Sequence, residues 1–104
     1  MRGKPSVIKR RIAMARLRCK IGEGARPSEA TVEVRDSEGR PEYLPVERAF
    51  LVADNGDHYL PVSIVHVDRE RKLAIVGLPV EADSGAHRIW VSLSQLQDPS
   101  GAEQ

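Results

Sequence analysis

Apolar and polar residues alternate with a period of two over most of this chain. Ala13, Ala15, Leu17, Cys19 and Ile21 interleave with Met14, Arg16, Arg18 and Lys20, the pattern of a strand with one face buried. ATVEVR (30–35) and EYLPV (42–46) repeat the alternation, and Ala49–Ala53 is a further apolar segment. HYLPVSIVHV (58–67), LAIVGLP (73–79) and RIWVSLSQL (88–96) follow, and this last stretch is the most clearly patterned part of the chain. Between the segments lie GEGARPSE, DSEGR, DNGD, DRERK and VEADSGAH, all turn chemistry. Asn55-Gly56 between apolar runs predicts a type I′ hairpin turn. Pro45 and Pro61 lack an N–H, so each marks an edge or a bulge. The expected fold is all-β, a small barrel or sandwich of about six to seven short antiparallel strands.

Two halves of the chain read alike. At a spacing of 43 residues Leu17 aligns with Leu60, Cys19 with Val62, Ile21 with Ile64 and Val32 with Ile75. Two residues more align Leu44, Val46 and Leu51 with Ile89, Val91 and Leu96. Residues 13–97 are therefore expected as one β domain with repeats over 13–53 and 58–97, two pseudo-symmetric three-stranded units packed face to face. Chance alignment of alternating sequences is the rival explanation. Residues 1–12 are open to two readings, a basic arm or a short helix capped by Ser6. Residues 98–104 hold only turn and polar residues and read as a disordered tail.

The closing segment Val91-Ser-Leu-Ser-Gln-Leu96 resembles the corner of Src-homology-3-like and Tudor-like small barrels. There a strand ends in one tight helical turn and an aliphatic residue tucks back inside. HYLPVSIVHV and LAIVGLP resemble the long bent hairpin of such barrels. The resemblance implies fold only, because the acidic and aromatic patches through which those families bind peptides are missing, and fold does not imply function.

Charge changes the picture. Arg2, Lys4, Lys9, Arg10, Arg11, Arg16, Arg18 and Lys20 give residues 1–22 a charge of +8 with no acidic residue, while the rest of the chain carries −7. Such segregation points to an anionic partner for the basic end, or to the chain's own acidic body as its counterweight. With four aromatics, Tyr43, Phe50, Tyr59 and Trp90, the core must be aliphatic. Cys19 is the single cysteine, so no internal disulfide forms. No apolar run is long enough for a membrane helix, and Arg16 interrupts IAMA before a signal-peptide core develops. An Arg-rich transit peptide is conceivable, and the cytoplasm is the expected compartment.

The sequence offers little catalytic chemistry. Cys19 shares the inner face with Leu17 and Ile21, which favours an inert thiol. His58, His66 and His87 lack the spacing of a metal pair, and DNGD has no downstream Glu for calcium. Ser84-Gly85 is no nucleophile elbow, GEG is no phosphate loop, and the arginine pair and Asp/Asn-x-Ser-x-x-Gly of PilZ domains are not matched. No cofactor, metal or catalytic residue is expected. The first expectation is a non-enzymatic module binding nucleic acid through Lys9, Arg10, Arg11, Arg16, Arg18 and Lys20. The alternative is an interaction or assembly subunit, a homodimer included, that pairs through strand edges carrying Tyr43, Leu44, Tyr59 and Leu60, the twice-occurring Tyr-Leu-Pro-Val. There the competing reading is that Tyr and Leu fill the barrel rim.

Overall fold

A computed structural model describes residues 13–97. The readings of residues 1–12 as arm or helix and of 98–104 as a tail, and with them Lys9, Arg10 and Arg11, lie outside the described residues.

The architecture is all-β. Eight antiparallel strands run in chain order: β1 (Met14–Glu23), β2 (Glu29–Arg35), β3 (Pro41–Glu47), β4 (Val52–Asp54), β5 (Asp57–Asp68), β6 (Leu73–Gly77), β7 (Arg88–Ser92) and β8 (Leu96–Gln97). Single 3-10 turns, Arg48–Phe50 and Leu93–Gln95, lead into β4 and β8. The main path of the sheet is β3-β2-β1-β5-β6-β7, with β4 also on β5 and β8 also on β1. The count exceeds the expected six to seven because β4 and β8 are three- and two-residue strands, too short to alternate visibly.

The sheet curls around one core. Leu17, Val32, Leu44, Leu60, Val76 and Val91 are fully buried in it, with Ala15, Cys19 and Val62 beside them. Each occupies the inner phase of its strand, as the alternation requires. No helix among the described residues is long and apolar enough to cross a membrane.

The strand pairing repeats. Lys20↔Glu33 and Val32↔Leu44 in the first half correspond to Ser63↔Gly77 and Val76↔Ile89 in the second. Val52↔Tyr59 likewise corresponds to Arg16↔Gln97, so the last strand of each half pairs with the first strand of the other. The 3-10 turns are anchored alike: Arg48 N–H donates to the Ser28 carbonyl, and Leu93 N–H to the Lys72 carbonyl. Leu17 faces Leu60 at the centre of the β1–β5 ladder, where the two halves meet. One alignment is corrected: Val32 corresponds to Val76, not Ile75. Val65 is an extra residue in β5, producing a bulge between Ile64 and His66, and the spacing between the halves grows from 43 to 44 there.

Both prolines stand where no ladder bond is lost. The Tyr43 carbonyl points away from β2 to accept from Asp83 N–H, so Pro45, two residues on, also turns its nitrogen outward. Pro61 pairs with Arg16 of β1, and its nitrogen faces the gap between β4 and β6. Asn55 and Gly56 have φ of 53° and 85°, the two left-handed residues of the expected I′ turn.

Candidate functional site

Strand β1 presents Arg16, Arg18 and Lys20 on its outer face, opposite the buried Ala15, Leu17 and Cys19. They are not equivalent. Arg16 is half-buried, and its Nη1 donates to Gln97 Oε1 at 3.2 Å; Gln97 Nε2 in turn donates to Asp54 Oδ2 at 2.9 Å. Arg16 is thus tied into the junction of β8 with β4. Arg18 and Lys20 are exposed and make no ion pair among the described residues.

A recess of about 330 Å³ opens beside them, lined by Arg18, Cys19, Lys20, Glu33, Arg35, Asp57 and Gln95. Its origin lies in the pairing. On the edge of β1 away from β5, β8 covers Arg16 and Leu17 while β2 begins only at Lys20, leaving Arg18 and Cys19 uncovered. Strand alternation turns the Arg18 backbone N–H into this gap. Gln95 roofs it, donating from Nε2 to the Arg35 carbonyl at 2.8 Å. Arg35 is neutralised by Glu33 at 2.9 Å and donates from Nη1 to the Gly39 carbonyl. Asp57 adds a carboxylate to the wall. Arg18 and Lys20 are the cations left for an outside anion.

Cys19, at the floor, is 8% exposed, and burial pushes its thiol up to about 11. At neutral pH it is a protonated thiol with little nucleophilic character. The histidines lie apart: His58 pairs in register with Cys19 and Ala53, His66 stands edge-on to Trp90, and His87 Nε2 lies 3.9 Å from a Glu81 carboxylate oxygen. Among the described residues no three His, Cys, Asp or Glu side chains gather as metal ligands.

The docking edge drawn from Tyr43, Leu44, Tyr59 and Leu60 is corrected for three of its members. Leu44 and Leu60 are fully buried and Tyr59 is 7% exposed. β5 is also no edge at Tyr59, which pairs with Arg18 on one side and Val52 on the other. Tyr43 alone is exposed, on β3. The edges that do end the sheet are capped. On β3 the Tyr43 carbonyl accepts from Asp83 and Pro45 offers no donor; on β7 the Trp90 carbonyl accepts from Ser37 N–H, and Ser92 N–H donates to Gln95 Oε1. Each half's β-hairpin loop thereby closes on the other half's outer strand, leaving little edge for strand addition.

Two surfaces escaped the sequence reading. Phe50, Pro79 and Val80 line an apolar groove against Pro45 and Val46, rimmed by Glu29 and Glu47. Trp90 is 40% exposed on the outer face of β7. The alternation of RIWVS, with Ile89 and Val91 inward, was the signal that places Trp90 outside. No protein family, curated protein or solved structure matches the chain.

Proposed function

We propose that this chain is a non-enzymatic β-barrel module that binds nucleic acid through the outer face of β1. The carrying observation is the pair Arg18 and Lys20, exposed and without ion-pair partners among the described residues, beside a gap in the sheet. The eight cations of residues 1–22 extend the same charge into the segment that precedes β1, Lys9, Arg10 and Arg11 included. A polyanion gathers such charges because each neutralised phosphate releases a condensed counterion. The recess adds directional donors, a backbone N–H among them, that suit a phosphate oxygen. Assembly through strand edges has less support, since the edge groups of β3 and β7 are already bonded at Tyr43, Trp90 and Ser92. A lone buried thiol is at home in the reducing cytoplasm, the compartment proposed.

Charge reversal tests the proposal. Arg18→Glu with Lys20→Glu is expected to weaken binding to a short oligonucleotide by about tenfold or more at low salt. The unfolding midpoint should stay within a small margin of the parent, since both side chains are exposed. Undiminished affinity in a folded double variant would refute it.

A further inference from the structure

The second half of the chain carries a feature its fold does not require. Across β5, β6 and β7, His66, Ile75 and Trp90 stand in register as one outward row. The corresponding row across β1, β2 and β3 is Gly22, Thr31 and Pro45. That row is therefore built without aromatics, although Tyr43 is exposed one outward position from Pro45 on β3. In the second half, the rings of His66 and Trp90 meet edge to face, centroids 6.3 Å apart at 89°, above the half-buried Ile75. Trp90 is 40% and the neighbouring bulge residue Val65 43% exposed.

Cations flank this row. Arg88 precedes Trp90 by one outward position on β7, about 7 Å at strand spacing. At the other end, beyond Ser92, the turn holds Arg69, Arg71 and Lys72 against Asp68 and Glu70, and opens on a recess of about 500 Å³ with Ser92 and Ser94. Arg69, Lys72 and Arg88 make no ion pair among the described residues. The acidic groups nearest Trp90 are engaged: Asp36 and Glu38 with Arg40, and Glu42 by the Ser84 hydroxyl at 2.6 Å.

We infer that the His66–Ile75–Trp90 row is a stacking platform for unpaired bases, with Arg88 at one end and Arg69 and Lys72 at the other receiving the phosphates. Flat rings on a sheet face with cations along the strand direction fit a single-stranded nucleic acid, whose bases are free to stack, better than a duplex, whose bases are paired inside. This inference rests on the nucleic-acid reading above but names a different surface and the form of the ligand. Trp90 is the chain's one tryptophan, so its fluorescence reports this surface alone.

The test titrates the full chain, and its Trp90→Ala and Trp90→Phe variants, with a single-stranded oligothymidylate of about eight nucleotides and with a duplex of equal length. Expected are saturable quenching by the single strand, about tenfold weaker binding for Trp90→Ala by anisotropy of a labelled oligonucleotide, and near-parent binding for Trp90→Phe. Binding without quenching, equal in Trp90→Ala, would overturn the platform while leaving the β1 surface standing. Absence of binding to either probe would overturn both readings. Quenching produced only by self-association of the chain would overturn the platform in favour of a protein contact.

Discussion

Arg18 and Pro61 occupy corresponding places, each where the central ladder is covered on one side only. Proline is the quiet solution, since it has no donor to leave unsatisfied. Arginine at the other gap keeps a backbone donor and adds a guanidinium, so one gap is sealed and the other is equipped. Cys19 beside it contributes to stability rather than chemistry. Burial holds its thiol at about 11, above the ordinary 9.0. The folded chain keeps a proton that the unfolded chain loses, so this contribution is present below about pH 9 and is lost as pH rises toward about 11. Chemical denaturation at about pH 8 and about pH 10.5 should show a larger stability loss for the parent than for Cys19→Ala. An equal loss in both would contradict the assignment.

At the scale of elements, the two halves hold each other. β4 completes the second half's first strand and β8 completes the first half's, while Leu17 and Leu60 pair at the junction. Both leucines are fully buried. Leu17→Ala and Leu60→Ala should each cost about 2–5 kcal/mol. Because the two side chains touch one shared core, the double variant should depart from the sum. Urea unfolding should remain a single transition in each; a variant that melts one half alone would contradict the interlocked arrangement. Most of this was readable in advance, because alternation reports which face a residue takes, and Leu17, Val32 and Val76 obey it. The bulge at Val65 and strand β8 were not readable, since both are defined by a partner strand rather than by their own residues. Tyr59 and Leu60 misled for the same reason. Tyr-Leu-Pro-Val looks the same at 43–46 and 59–62, yet one copy lies on an outer strand and the other at the centre of the sheet. Of the cationic stripe, the outward phase of Arg16, Arg18 and Lys20 was legible, whereas the engagement of Arg16 by Gln97 depends on a contact 81 residues away.

At the scale of the molecule, the charge is sorted, not balanced locally. Residues 1–22 carry +8 and the remainder −7, leaving a net +1. Within the described body many of the acidic groups are engaged by neighbours, as in Arg26 with Glu47 and Arg40 with Asp36 and Glu38. The Asp36 carboxylate first, and Glu38 after it, make Arg40 hold its proton more firmly, so one cation is shared locally between two carboxylates. Arg18 and Lys20 remain outside such pairs, as do Arg69, Lys72 and Arg88, but only the β1 pair continues in sequence into the acid-free residues 1–22, which is why the β1 face is the one proposed for the partner. The most direct measurement is the dependence of oligonucleotide affinity on salt for the full chain. The account predicts that log K falls linearly with log salt, and that Arg18→Glu with Lys20→Glu lowers the slope by about 1.4 for a single strand. An affinity that stays flat from low to moderate salt would contradict it.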